Sequence, residues 1–354
     1  MKRILFGFVG FVVVVSMGCS LPESAEEELP APEVSVSEEE VSQDNQPPDT
    51  PEPPPQGEDA GSGDEVAEEP AAEEETAEGP AAEPVEETSA SSSEPEPEGF
   101  NDGGLGFTKQ VDVFGSELYA TENVPDEKLL HAAAVMAEYL DNNEDGIPDN
   151  QAIVNVMLEE QAALVMFRDE REESDFDIDS FLQSRNADAL QNLYAEETHP
   201  GGSTNEYFDA ALEEVLHLIT HIGYANAYPE IWGESPGTAV AQAMDIARGG
   251  HIEEIPSQYP VSAWYTYDDR SCEYDCQITE YVYWALTSIL GAHQYEGRLD
   301  EIENEWKLNT PEKVSAQDVA IYALLTDPVY AFPTHLPDGK YAGINITITK
   351  LIEK

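Results

Sequence analysis

Residues 203–223 read STNEYFDAALEEVLHLITHIG, and this segment does most to decide the fold. Its apolar positions surround almost the whole helical circumference, which is typical of a helix buried in a protein core. Ser203 with Glu206 three residues later matches a capping box, and Gly223 is a common residue just after a helix end. The pattern therefore predicts one buried helix over residues 204–222.

Four ionisable side chains interrupt the apolar surface of this predicted helix. At about 100° per residue, one stripe about 100° wide holds Glu213, Glu214, His217 and His221. Buried carboxylates and imidazoles are costly unless they are paired or bind a metal ion. Two histidines four residues apart on a helix can reach one zinc ion. The stripe predicts a metal site, and a hydrogen-bonded Glu–His network inside the core is the alternative.

The motif HLITH at residues 217–221 resembles the H-E-x-x-H helix of the zincin metallopeptidases. The chain departs from that family at Leu218, which stands where zincins have their catalytic Glu. Glu214 lies one turn earlier at nearly the same helical angle. It is the candidate catalytic base, with metal ligation and orientation of His217 as its alternative roles.

A zinc site of this class needs a third protein ligand. In the gluzincins this ligand is a Glu on a later helix, often followed by an aromatic residue. Glu280 is followed by Tyr281 and is the only acid in the apolar stretch 277–293. The arrangement is most similar to the anthrax-lethal-factor type, and the resemblance implies that zinc binds to His217, His221 and Glu280. An acid at a helix start also complements the helix dipole, which is the alternative role of Glu280.

Five further side chains are candidates for the same site. Asp245 and His251 are the alternative third ligands. A tyrosine hydroxyl can polarise a substrate carbonyl, and the candidates for that role are Tyr265, Tyr267 and Tyr283.

A second oxygen-rich segment, DNNEDGIPD, lies at residues 141–149. Asp141, Asn143, Asp145 and Asp149 occupy positions 1, 3, 5 and 9 of a loop with Gly at position 6, as in EF-hand-type calcium loops. Position 12 is Ala152, so the bidentate Glu of a full loop is missing. The pattern predicts a weak calcium site that fixes a helix junction. A polar turn without a metal ion is the alternative.

The first nineteen residues predict the compartment. After Met1-Lys2-Arg3, the apolar run 4–15 is too short for a hydrocarbon core of about 30 Å and is typical of a signal peptide. Residues 16–19, SMGC, resemble the lipobox of bacterial lipoproteins. The resemblance implies a signal peptide over residues 1–18 and a lipid anchor on Cys19 in the cell envelope, in the outer membrane of a Gram-negative host or at the cell surface. A secretory signal with a chance Cys is the alternative.

In such an oxidising compartment Cys272 and Cys276 predict a local disulfide. A thiolate metal site is the minor alternative.

The composition separates a tether from a folded region. The chain has 74 acidic and 15 basic residues, a net charge of −59. Residues 20–99 hold 27 of those acids and 14 of the 25 prolines, without Lys, Arg or aromatic residues. This composition predicts a disordered acidic tether over residues 19–99. The remainder is also acidic, which excludes nucleic-acid binding through phosphate contacts.

The pattern over residues 100–354 predicts one globular domain that is mainly α with a minor β component (α+β) and zincin-like. Predicted helices lie near 125–140, 151–161, 204–222, 235–250, 277–293 and 314–325, and predicted strands near 110–114, 118–119, 163–167 and 344–348. Residues 168–179 are expected to be charged and exposed.

Two functions follow from these features. The first is a zinc metallopeptidase that acts on peptides in the envelope or outside the cell. The alternative is a non-catalytic, calcium-stabilised surface module on a zincin-like fold, which binds an envelope protein.

Overall fold

The computed structural model describes residues 106–185, 190–204 and 206–351. The described residues belong to a single compact unit. The predicted signal peptide, Cys19 and the predicted acidic tether also lie outside the described residues. Of the helices that are described, none combines the length and the apolar character needed to span a membrane.

The described residues form a helix-rich fold with a small mixed sheet, which is the predicted α+β class. The strands are β1 (Lys109–Val113), β2 (Ser116–Ala120), β3 (Ala163–Phe167), β4 (Leu190–Tyr194) and β5 (Thr349–Lys350). The α-helices are α1 (Asp126–Leu140), α2 (Gln151–Glu159), α3 (Glu170–Ser174), α4 (Ile178–Arg185), α5 (Ala211–Leu218), α6 (Ala225–Ala227), α7 (Pro229–Trp232), α8 (Ala239–Arg248), α9 (Tyr274–Ile289), α10 (Arg298–Ile302), α11 (Pro311–Gln317) and α12 (Val319–Leu325). A π-helical segment, Ile219–Tyr224, joins α5 to α6.

The sheet has the strand order β4-β3-β2-β1-β5. Strands β1 and β2 form an antiparallel hairpin whose two-residue turn is Phe114-Gly115, both with positive φ, as a type I′ turn requires. Strands β2, β3 and β4 are parallel, and β5 pairs antiparallel with β1. The β1, β2 and β3 predictions are confirmed. The terminal strand was expected at 344–348, but the pairing lies at Thr349–Lys350.

Both faces of the sheet are buried, which explains the uninterrupted apolar run of β3. Leu164 and Met166 point into a large core that includes residues of α1, α5, α8 and α9. Val165 and Phe167 point into a smaller core on the opposite face, where α4 contributes Phe181. The sheet therefore separates two layers, and α5 and α9 share the larger one.

The buried helix exists, but it begins later than the sequence predicted. The hydroxyl of Ser203 accepts a hydrogen bond from the backbone N–H of Asp209 at 2.9 Å, so it does not cap a helix at residue 204. The Asp209 carboxylate accepts from the backbone N–H groups of His199 and Ala211 instead. Helix α5 starts at Ala211 because Asp209, and not Ser203, satisfies its first N–H groups.

Gly223 does not end this helix, and the helical run continues to Ala227. A Cβ atom at Gly223 would lie 2.5 Å from Cγ2 of Ile153 on α2 and 3.4 Å from Cγ of Met157. The glycine therefore permits close packing between α2 and the π-helical segment. The predicted stop at this position was wrong, because a glycine serves close approach as well as helix termination.

Most other boundaries agree with the prediction within a few residues. Helix α1 follows Pro125 as expected, and α8 ends before Gly249, which has φ 82°. Thr238 caps α8 in place of the predicted Ser235-Pro236 start. The helix predicted at 314–325 is divided at Asp318, whose carboxylate accepts from the N–H of Ile321 and begins α12. Residues 168–179 include α3, which has no buried residue.

Candidate metal site

Two glutamates and one histidine from two helices meet in the larger core layer. Glu213 and His217 lie four residues apart on α5, and Glu280 approaches them from α9. One ligand-type atom of each lies within 4.8 Å of the other two. Across residues 106–185, 190–204 and 206–351, this is the one group of three or more His, Cys, Asp or Glu side chains that converges so closely. This His/Glu/Glu group can hold a metal ion.

The His/Glu/Glu group is almost completely shielded from water. His217 is 5% exposed and Glu213 is 8% exposed, while the Glu280 side chain is 14% exposed. Apart from Glu213, Glu214 and His217, the positions of α5 are apolar and buried, so the helix carries its ionisable side chains into the core. Buried carboxylates need a proton, a cation or several hydrogen bonds to offset the loss of hydration.

His217 presents a different ring nitrogen to each of its acidic neighbours. Its Nδ1 lies 3.5 Å from Oε2 of Glu214, and its Nε2 lies 3.7 Å from Oε2 of Glu280. Nε2 has no hydrogen-bond partner among the described residues. A carboxylate behind Nδ1 and an unbonded Nε2 is the arrangement typical of a histidine that binds a metal ion.

Glu214 is held in place from the sheet. Nε2 of Gln191 on β4 donates a hydrogen bond of 2.5 Å to Oε2 of Glu214, the same oxygen that faces His217. Of the roles that the sequence left open for Glu214, the geometry matches orientation of His217. Leu218, at the position of the missing catalytic Glu, is buried in the core.

The charges of the site favour a cation between the imidazole and the carboxylates. Burial lowers the pKa of His217, but Glu280, Glu214 and Glu213 outweigh it and raise the pKa to about 10. Burial raises the pKa of Glu213 well above its usual value, and the charge of Glu280 adds to this effect. Burial also raises the pKa of Glu280, although the positive charge of His217 opposes the rise. Without a metal ion the group retains protons, and a divalent cation competes with them.

Two of the three candidate tyrosines border the group. Tyr283 lies three residues after Glu280, its ring centroid is 5.6 Å from that of His217, and its buried hydroxyl faces the Glu213 carboxylate. The Tyr267 hydroxyl hydrogen-bonds the Glu280 carboxylate and opposes the rise in its pKa that burial causes. Tyr265 instead donates to the backbone carbonyl of Gln277 at 2.7 Å.

His221 does not join the His/Glu/Glu group. Its Nδ1 hydrogen-bonds Oε2 of Glu234, and its side chain is 24% exposed. The residue lies in the π-helical segment, where i→i+5 hydrogen bonds widen the turn. The predicted His217–His221 ligand pair is not assembled, because the His221 imidazole engages Glu234 and does not converge with Glu213, His217 and Glu280.

Glu213 takes the place that the sequence gave to His221. The same i, i+4 spacing relates Glu213 to His217, and this pair lies wholly within α5, where the α-helical periodicity holds. The sequence contains this spacing as well, because Glu213 and His221 are each four residues from His217, but the zincin resemblance implies the histidine pair. Gln191 and Glu234 had no recognisable signal in the sequence, because each contacts the site from a distant element.

The predicted calcium loop forms a turn in which the side chains bind the backbone of the loop. Asp141, which is fully buried, accepts from the N–H groups of Asp145 and Gly146 at 3.2 and 2.8 Å. Asn143 donates to Asp149 at 2.8 Å. Within the described residues, the four carboxylates of residues 141–149 do not converge as the side chains of the His/Glu/Glu group do. Calcium binding at this loop stays a prediction.

Cys272 and Cys276 form a disulfide, as predicted, with their Cα atoms 5.3 Å apart. The bridge spans the start of α9 and lies four residues before Glu280. It ties the loop that enters α9 to the first turn of that helix.

The reserve ligands Asp245 and His251 lie together, away from the His/Glu/Glu group. Nδ1 of His251 lies 2.9 Å from Oδ2 of Asp245, and Nε2 lies 3.3 Å from Glu253. Tyr274 donates to the other Asp245 oxygen at 3.0 Å. Both ring nitrogens of His251 are thus engaged by carboxylates, and the side chain is 43% exposed.

Comparison of the chain with protein-family models, with curated proteins and with solved structures finds no match.

Proposed function

We propose that the folded domain binds one zinc ion through Glu213, His217 and Glu280 and uses it to hydrolyse peptide bonds. The observation that carries this proposal is the buried, unbonded Nε2 of His217, which faces the Glu280 carboxylate inside a group that Glu213 completes. Zinc bonds of about 2.0–2.2 Å in a tetrahedral site separate the ligand atoms by about 3–4 Å. The distance of 3.7 Å between His217 and Glu280 supports the assignment.

Three protein ligands are the number found in catalytic zinc sites, which keep a fourth position for water or substrate. We take the domain to be zincin-like because a ligand helix is followed by a later helix that supplies a Glu ligand and an aromatic neighbour, Glu280 and Tyr281. Tyr267 and Tyr283 border the group and are candidates to polarise a substrate carbonyl. The departure at Leu218 removes the usual base of that family.

The proposal places this activity in the bacterial cell envelope. The cationic start, the short apolar run and the SMGC sequence support export and lipidation at Cys19. Mass spectrometry of membrane-extracted protein should find acylated Cys19 as the first residue. A mature chain that still begins at Met1, or one cleaved without acyl chains, would remove this part of the proposal.

A non-catalytic binding module is the second candidate function. Leu218 favours it, and so does Glu214, because one oxygen of its carboxylate is engaged by both Gln191 and His217. Under this reading the metal ion stabilises the core, and the surface binds an envelope protein. Calcium at the loop that holds Asp141, Asn143, Asp145 and Asp149 is a proposal that fits either function.

Metal content tests the proposal directly. The full-length chain, purified without chelator, should contain close to one zinc ion per chain by elemental mass spectrometry at neutral pH. His217→Ala should remove the zinc, while His335→Ala, which alters an exposed histidine, should retain it. Glu214→Gln should lower the zinc affinity by about 10–100-fold, because the carboxylate only orients His217.

Absence of transition metal, together with no uptake during zinc titration, would leave a buried Glu–His network in place of a metal site. Hydrolysis is measured separately, with a quenched-fluorescent peptide library. A zinc-loaded protein that cleaves no peptide in the library would favour the non-catalytic module.

A further inference from the structure

His221 is oriented by a carboxylate and keeps one ring nitrogen free. Its Nδ1 hydrogen-bonds Glu234, and no described residue hydrogen-bonds its Nε2. Because a neutral imidazole must carry its proton on Nδ1 to donate to the carboxylate, the lone pair lies on Nε2. The side chain is partly exposed, so this lone pair is accessible to water.

Glu234 is itself fixed by a second hydrogen bond. Its Oε1 accepts from the hydroxyl of Thr279 at 2.5 Å, while Oε2 binds His221. The Glu234 side chain is 9% exposed, so its carboxylate is held in a largely dry environment. Each oxygen of Glu234 therefore has a defined partner. Thr279 holds the carboxylate, and the carboxylate in turn orients the imidazole of His221.

His221 and Glu234 are each linked to an element that carries the His/Glu/Glu group. Thr279, which holds Glu234, is the residue immediately before Glu280 on α9. His221 follows His217 by four residues in one continuous helical run, and the charge of His217 acts on the His221 imidazole. His221 does not converge with the three proposed ligands, but it lies beside the helix that carries two of them.

We propose that His221, oriented by Glu234, is the acid–base residue of the proposed hydrolytic site. This inference rests on the proposed function, and it supplies the base that Leu218 leaves absent. Glu214 is less suited to the role because Gln191 and His217 both engage its Oε2 atom. His221 is then a catalytic residue, while Glu234 and Thr279 are positioning residues.

In this reaction His221 transfers one proton from the attacking water to the leaving amide nitrogen. Nε2 of His221 accepts a proton from the attacking water as the water oxygen forms a bond to the carbonyl carbon. The resulting imidazolium gives that proton to the amide nitrogen as the C–N bond breaks. The products are a carboxylic acid and an amine, and the imidazole returns to its neutral form. Zinc, when bound, supplies Lewis acidity at the same centre.

The Glu234→Gln variant separates this role from a structural one. The Thr279 hydroxyl still requires an acceptor, so the amide oxygen of Gln stays at Thr279 and its NH₂ group faces Nδ1 of His221. The neutral imidazole must then carry its proton on Nε2, which removes the base while the shape of the site is kept. ¹⁵N NMR of the imidazole in the full-length chain should show that the protonated nitrogen changes from Nδ1 to Nε2.

Activity and zinc content complete the test. His221→Gln and Glu234→Gln should each retain one zinc ion per chain and lose peptide hydrolysis by about 10²–10⁴-fold, the usual contribution of a general acid–base residue. Glu230→Gln, which changes an exposed glutamate four residues earlier, is the matched control and should keep wild-type rates.

Loss of zinc in His221→Gln would show that His221 is a ligand and would overturn the inference. Hydrolysis within about 3-fold of wild type in both variants would overturn it as well. An unchanged tautomer in Glu234→Gln would refute the role given to Glu234. A wild-type chain without zinc would instead refute the proposed function. A zinc-loaded wild type without peptidase activity would refute hydrolysis at the zinc site and, with it, the acid–base role of His221.

Discussion

Replacing Glu213 by Gln should raise the stability of the metal-free protein and abolish most of its stabilisation by zinc. Burial, together with the charges of Glu280 and Glu214, raises the pKa of Glu213 well above its usual value. A carboxyl whose pKa is higher in the folded state contributes fully to stability below its unfolded pKa. That contribution is lost as the pH rises towards the folded pKa. At neutral pH the metal-free wild type therefore carries a cost that a neutral amide removes.

In the presence of zinc, the wild type should be more stable than Glu213→Gln. At a free zinc concentration 100 times the Kd, binding stabilises the wild type by about 2.7 kcal/mol. For a domain of this size that corresponds to a rise in Tm of about 5–10 °C. Glu213→Gln removes one of three ligands, and a 100-fold weaker affinity leaves about 0.4 kcal/mol at the same zinc concentration, or about 1–2 °C.

Thermal melts of the full-length chain at pH 7.5, with and without zinc, measure both effects. Glu159→Gln on α2, an exposed glutamate, is the control and should follow the wild type in each condition. A metal-free Glu213→Gln protein that melts below the metal-free wild type would refute the electrostatic argument. A zinc-induced rise equal to that of the wild type would refute the ligand assignment.

Three further predictions concern packing, pH and calcium. Gly223→Ala should destabilise the domain by about 1–3 kcal/mol in urea unfolding, because the new Cβ would meet Ile153; no loss would contradict the close packing. Burial and then the charge of Glu280 raise the pKa of Glu305 to about 7, so Glu305→Gln should stabilise the protein at pH 8 and leave it unchanged at pH 4 in the same assay. A gain that is equal at both pH values would refute the pKa. Millimolar calcium should raise the Tm of the wild type, and Asp141→Asn should abolish the rise; a rise that survives would place the ion elsewhere.

Several features of the protein could be predicted from the sequence because each follows from a local pattern. The apolar run of β3 needs burial on both faces, and the apolar circumference of α5 needs a core around it. An isolated acid in an apolar helix, Glu280, needs a partner or a cation, which is why it was recognised as a ligand candidate before its neighbours were known. Cys272 and Cys276 are so close in sequence that their pairing follows from an oxidising compartment.

The tertiary structure alone decided which side chains meet Glu280. A helical wheel assumes one α-helical register, and on that assumption His221 and Glu213 are equally good partners for His217. His221 lies in the π-helical segment and engages Glu234, which comes from a later part of the chain, while Glu213 remains beside His217. An i→i+5 turn is rare, since its own hydrogen bonds do not favour it over the α-helix, and it persists where packing stabilises it. Contacts such as that of Gly223 with α2 come from residues distant in sequence, and no local pattern contains them.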